Sequence, residues 1–278
     1  MCDMEPIRTF DRTKDVSKIV GLNSRGVEFR WSLFLDNIGK VAGGAPVLDF
    51  GAGSLRESYE LVLRGFEVTS FDLDEATLRS YYKDYDWSGV AHEPVIVSGD
   101  VGCLRDKHFA LITAFDVLEH LEDPMELLSA FLDTLDEEGL FFCSVPNCLS
   151  AWEIGRRISW KLGLALGGVF RPGEPHIQFK TPGQWRRYFE EQAGLEVVAH
   201  EMGIGFFVNS WDAITGVPVR VVRKLGKRLF GLDDARFGRG VLAGAAVMAA
   251  LHRLDRLTEK FLHPLYGSCL FVLKKRSP

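Results

Sequence analysis

Three acidic residues and two glycines carry the first chemical signal. Val47-Leu48-Asp49-Phe50-Gly51-Ala52-Gly53-Ser54 reads as a short apolar strand running into a glycine-rich turn, with a helix expected over 55–64. Glycines allow positive φ and close backbone approach, and a helix start offers free N–H groups to an anionic ligand group. A dinucleotide fingerprint, GxGxxG, would put its third glycine at position 56, where Arg56 stands, and so bulky a side chain argues against a pyrophosphate lying close. Asp72, in Phe71-Asp72-Leu73-Asp74, follows Asp49 by 23 residues, and a carboxylate there can accept both hydroxyls of a ribose. Ser98-Gly99-Asp100-Val101 closes a third apolar run, where Asp100 could accept from an adenine amino group. Plainer readings stand beside these: Asp49 could order its own turn, and Asp74 could cap a helix beginning near Thr77 and Leu78.

The elements that must position these residues follow from the apolar pattern. Strands are expected at Val47–Phe50, Glu67–Phe71, Val95–Ser98, Leu111–Phe115, Leu140–Val145, Leu195–Ala199 and Ser268–Leu273, seven in all. Most are separated by segments of helix length, which implies βα units, a parallel sheet and right-handed crossovers. The carboxyl edge of such a sheet is where ligands bind, and the three acidic strand ends converge on it. A helix over 182–193 precedes the sixth strand, and residues 1–45 form an N-terminal segment with a helical pattern from about Val27 to Val41. Two stretches fall outside the alternation. Residues 148–180 hold an amphipathic run (Trp152, Ile154, Ile158, Trp160, Leu162) and a Gly/Pro turn region, with the length and position of a lid. Residues 205–265 read as a mainly helical insertion before the last strand, strongest over Val241–Leu262.

Composition sets the outer bounds. A chain of 278 residues with 46% hydrophobic content can bury one full core, so a single domain with additions is expected over 1–278. A formal charge of −5 supplies no field that would draw a polyanion, so no nucleic-acid partner is expected. Five scattered cysteines without CxxC pairs read as reduced thiols of a cytoplasmic protein. The charged amino terminus lacks the apolar core of a signal peptide, and the longest apolar run, Val241–Leu251, has 11 residues, too few to span a bilayer.

Taken in order, DFGAG, FDLDE, SGD, AFDVLEHLEDP and GLFFCSVPN resemble the motifs of class I S-adenosylmethionine-dependent methyltransferases, nearest to the subgroup with ubiquinone-type and sugar O-methyltransferases. The resemblance covers roughly 27–202 plus the last strand. It implies a doubly wound, Rossmann-like α/β sheet of seven strands, mostly parallel with the last strand antiparallel, and S-adenosylmethionine as cofactor. By the same resemblance Asp49, Gly51 and Gly53 would surround the methionine part, Asp72 would hold the ribose, Asp100 and the Val101 backbone the adenine, and Phe115 would lie beside the methionine moiety. The family often has a further glycine where Leu55 stands.

Methyl transfer mainly requires alignment of nucleophile, carbon and sulfur, but a hydroxyl acceptor must also lose a proton. His120, in Leu118-Glu119-His120-Leu121 after the fourth strand, is the leading base, with loop ordering as the alternative. His176, at the end of the lid before Phe179-Lys180-Thr181-Pro182, is the second catalytic candidate, with a hinge contact as its alternative. Glu119 could orient either histidine or bind a metal, but no metal-ligand set is expected around it. Pro146-Asn147 could border the acceptor or form a simple turn, and part of the group Tyr81, Tyr82, Tyr85 and Trp87 reads as core, with acceptor stacking as the alternative. The acceptor expected is a small molecule or glycan hydroxyl, with a small-molecule amine or a non-catalytic binding role as alternatives. Basic residues interleaved with apolar ones over 219–229 could rest on an anionic membrane or pack as a solvated helix, and Val241–Leu251 could pair with a second copy in a homodimer.

Overall fold

The computed structural model describes residues 41, 43–165, 176–207, 210, 250, 251 and 253–276. The expected helix before residue 41, the basic stretch 219–229 and most of Val241–Leu251 lie outside these residues.

All seven expected strands form, as β1 (Pro46–Phe50), β2 (Glu67–Asp72), β3 (Val95–Ser98), β4 (Phe109–Phe115), β5 (Leu135–Pro146), β6 (Leu195–Gly203) and β7 (Ser268–Lys275). They make one sheet in the order β3-β2-β1-β4-β5-β7-β6. Pairing is parallel through β5, and β7 runs antiparallel to both β5 and β6. This is the doubly wound methyltransferase-type sheet that the resemblance implies. β5 starts five residues before its expected start at Leu140, because Leu135 pairs with Phe109 ahead of an irregularity that the charged run Asp136-Glu137-Glu138 disguises as a turn.

Alternation along the strands feeds two cores. Leu48, Phe50, Ile112, Ala114, Phe141, Cys143, Phe271 and Leu273 face one side, against Phe131, Trp185 and Phe189. Val47, Val68, Leu111, Phe142, Leu270 and Val272 face the other, against Leu61 and Val62. The covering helices are α1 (Arg56–Leu63), α2 (Glu75–Tyr82), α3 (Pro124–Leu132), α4 (Ala151–Ala165) and α5 (Pro182–Arg187), the last continued by a π-turn over Tyr188–Gln192. Their starts are chemically marked. Asp74 caps α2, accepting from Thr77 N at 3.1 Å. Asp123 caps α3 ahead of Pro124. Thr181 and Gln184 form a reciprocal capping box on α5. Residues 253–262 are helical, as part of the late insertion was expected to be. Among the described residues no helix is long and apolar enough to cross a membrane, and Cys103, Cys143, Cys148 and Cys269 are free thiols.

Asn147, fully buried, ties the end of β5 to the approach to β7. Its amide donates to the carbonyls of Pro264 and Tyr266, both at 2.9 Å, and its Oδ1 accepts from Leu149 N at 3.1 Å. The residue is therefore a structural junction, the turn alternative of the sequence reading.

Candidate active site

The glycine turn is held against the end of β2. Gly51 N and Ala52 N both donate to the Phe71 carbonyl, at 2.8 and 2.9 Å, and Gly53 N donates to Asp72 Oδ2 at 2.9 Å. Gly51 and Gly53 have φ of 71° and 42°, and a Cβ on Gly51 would run into the Val117 side chain. Gly51 is thus required both by its conformation and by the close passage of the β4 loop. Leu55, where a glycine is common, also takes a left-handed conformation (φ 57°), and its side chain is wholly buried with Ala52 and Leu78.

Asp72 and Asp100 sit at adjacent strand ends. Asp72 is half-buried, and its second oxygen accepts from Asp74 N at 3.1 Å. Two backbone N–H groups use about half of a carboxylate's four lone-pair sites, so the remainder can take a diol. Asp100 is exposed, and Oδ1 accepts from Gly102 N at 2.6 Å at the start of the 3-10 turn Val101–Leu104. That contact pins the carboxylate and leaves Oδ2 for a ligand donor. Asp49 behaves differently. Only 2% exposed, it lies beneath the turn, accepting from Ser58 Oγ at 2.5 Å and Thr113 Oγ1 at 2.9 Å, while Ser58 also bonds Ser70. Burial, reinforced by Glu57, raises its carboxyl to about 7 against the pull of those hydroxyls. This is the turn-ordering geometry that the sequence left open. The tyrosines after β2 serve the same corner: Tyr85 OH donates to Ser54 O at 2.9 Å, and Tyr82 stacks on Trp87.

Beyond β4 the chain makes a second, polar corner. Phe115 is half-buried against Phe142. Asp116 takes φ of 55°, anchored by Ser144, whose Oγ donates to Asp116 Oδ1 at 2.8 Å. The 3-10 turn Leu118–His120 follows, with Glu119 fully buried. Residues 176–178 are strapped onto it: Ile177 N and Gln178 N donate to Glu119 O at 2.7 and 2.9 Å, and Gln178 Nε2 donates to Leu121 O at 2.8 Å. The strap brings His176, 56 positions further along the chain, to His120, with ring centroids 4.8 Å apart and edge to face. His176 Nε2 lies 3.8 Å from Glu119 Oε1, and the ligand atoms of Glu119, His120 and His176 all fall within 4.8 Å of one another. The sequence reading expected no such set because only the fold closes the gap.

Two further residues of this corner escaped the sequence reading. Glu153, on the first turn of α4, is 2% exposed, and its Oε2 lies 2.9 Å from His176 Nδ1. Arg156, three residues on, meets His176 Nε2. The sequence marked this helix only as an amphipathic run. In the structure Ile154 and Ile158 are 47% and 54% exposed while Glu153 is buried, because the surface that α4 faces is itself polar. An acidic and a basic residue at i, i+3 within an apolar stretch was the available signal.

Comparison with known proteins bears on the fold and the family. The family model described as "Methyltransferase domain" matches residues 27–200. A ubiquinone biosynthesis O-methyltransferase of Idiomarina loihiensis is 28% identical over 183 residues, covering 60% of this chain and 68% of that protein. A methyltransferase from Thiobacillus denitrificans, solved with S-adenosyl-L-homocysteine, superposes with a TM-score of 0.57 at 18% identity, covering 98% of this chain and all of that one. One from Geobacter sulfurreducens, in complex with the same product, gives 0.56 at 16% identity over 94% and 96% of the two chains.

Proposed function

Because the chain belongs to this methyltransferase-domain family and is an S-adenosylmethionine-dependent methyltransferase, we propose that it methylates a hydroxyl of a small molecule or glycan. The observation that carries this reading is the pairing of His120 with His176 over Glu119 at the end of β4, on the edge that also bears Asp72 and Asp100. An amine can attack with its own lone pair, whereas a hydroxyl gains from a positioned proton acceptor. The name of the Idiomarina relative, an O-methyltransferase, points the same way.

The cofactor supplies a methyl group on a sulfonium centre, and the protein's part is to bind, orient and deprotonate. Asp72 takes the ribose hydroxyls, Asp100 and the Val101 N–H the adenine edge, and Gly51 and Gly53 leave room for the methionine part, with Phe115 beside it. His120, half-exposed, takes the acceptor's proton. His176, held from α4, borders the acceptor.

A panel of hydroxyl and amine compounds incubated with methyl-labelled cofactor tests the reading. Label should pass to hydroxyl compounds, and His120→Ala should lower turnover about 100- to 10,000-fold while affinity for S-adenosylhomocysteine stays within about twofold. Label passing only to amines, or near-normal turnover in His120→Ala, would overturn it.

A further inference from the structure

We infer that Glu153 is a positioning residue of the acceptor corner: its buried carboxylate holds the Nδ1 proton of His176 and thereby turns the Nε2 lone pair toward His120 and Glu119. The functional meaning of that lone pair rests on the reading above, but the tautomer itself does not.

The carboxylate is fixed from the backbone outward. Ser150 N donates to Asn147 O at 2.9 Å, and Ser150 Oγ accepts from Glu153 N at 3.2 Å. The first turn of α4 therefore grows directly from the Asn147 junction between β5 and β7. From there Glu153 Oε2 reaches His176 Nδ1, with the two side chains 2% and 11% exposed. On the opposite ring nitrogen sits the Arg156 guanidinium. Arginine carries five N–H donors and no acceptor, so the nitrogen that it meets must present a lone pair. Nε2 is then bare and Nδ1 carries the proton, which is the form that a carboxylate at Nδ1 also demands. Two partners on one helix, three residues apart, impose the same tautomer from opposite sides of the ring. Free imidazole side chains in water favour the other one, with the proton on Nε2.

The direction of the lone pair gives the arrangement its use. Nε2 is the nitrogen 3.8 Å from Glu119 Oε1. A hydroxyl brought into this corner would meet an acceptor nitrogen there once Arg156 gives way. With Nδ1 bare instead, the same position would present an N–H and could only donate. Once Arg156 has given way, Glu153 alone decides whether His176 accepts from or donates to the acceptor.

Nitrogen-15 histidine labelling of the full chain, with S-adenosylhomocysteine added, tests this without a known acceptor. Two-bond proton–nitrogen correlation spectra at about pH 8, above the ordinary histidine range, report which ring nitrogen is protonated, and loss of a signal set in His176→Asn assigns it. His176 should show the Nδ1–H pattern in the native protein and in Glu153→Gln, whose amide oxygen still accepts. That pattern should persist in Arg156→Met, which leaves Glu153 as the one imposing partner, and shift to Nε2–H or a mixture when Glu153→Ala is added to Arg156→Met. Glu153→Leu, which refills the space, replaces Glu153→Ala if that variant does not fold. A native Nε2–H or doubly protonated ring, or an Nδ1–H pattern unchanged by removal of the carboxylate from Arg156→Met, would overturn the inference. Failure of the hydroxyl reading would appear in the methyl-transfer panel and leave these spectra unchanged.

Discussion

Among single residues, Asp49 makes the sharpest statement about cost. A carboxylate beneath a ligand turn would stay ionised in water, but here desolvation outweighs the two hydroxyl donors and raises it to about 7. The folded state therefore holds a proton that the unfolded chain, with an ordinary carboxyl near 4, releases earlier. Across the interval from about 4 to about 7 the native protein binds more protons, so this group's contribution is fully present at the acid end and is lost as pH rises through 7. Asp49→Asn removes the titration while keeping a carbonyl for Ser58 and Thr113. Denaturant midpoints between pH 5 and 8 should thus fall with pH more steeply in the native protein than in the variant, by an amount on the order of 1 to 3 kcal/mol. Parallel pH dependences in the two proteins would show that Asp49 is ionised throughout. The motif made Asp49 visible in the sequence, but its inward orientation was not, since its partners Ser58 and Thr113, and Ser70 behind Ser58, come from three separate elements.

Elements were legible to different degrees, for reasons that Leu55 and α4 illustrate. Strand positions could be read because each is a short apolar run bounded by breakers, and fully covered parallel strands must be apolar on both faces. The helix start at Leu55 could be placed, but its left-handed backbone could not, as leucine rarely adopts it. The strain is of the order of 1 to 2 kcal/mol, whereas removal of a buried leucine side chain costs about 2 to 5 kcal/mol. Burial wins, so Leu55→Gly should restore the commoner residue and still lower stability by about 1 to 3 kcal/mol in urea unfolding. A glycine variant more stable than the native protein would mean that the backbone strain outweighs the burial. For α4, periodicity located the helix but did not tell which side is buried. Hydrophobic pattern reports the inner face only where the neighbour is apolar, and here the neighbour is Glu119, His120 and His176.

At the scale of the whole molecule, two half-sites share one sheet edge and differ in how far apart their residues lie in the chain. The cofactor half comes from the ends of β1, β2 and β3, which neighbour one another in the sheet, so sequence order already implied spatial convergence. The acceptor half needs the strap at 176–178 and the Asn147 junction, contacts spanning 56 to 119 residues that no local pattern announces. Ligand linkage can separate the halves. A ligand that binds only the native state stabilises it by about 2.7 kcal/mol at a hundred times its dissociation constant. S-adenosylhomocysteine should therefore raise the melting temperature of the native protein, and NAD at the same concentration should not, because Arg56 occupies the place of the third dinucleotide glycine. Asp72→Ala deletes the acceptor for Gly53 N and, with it, the carboxylate proposed for the ribose hydroxyls. Charge-assisted hydrogen bonds of about 1.5 to 3 kcal/mol correspond to a loss of roughly 10- to 100-fold in affinity, so about half or more of the melting shift should vanish. His176→Asn, confined to the other half, should keep the shift. An equal response of both variants would mean that the two half-sites form one cooperative unit, and an undiminished shift in a folded Asp72→Ala would remove Asp72 from the ribose.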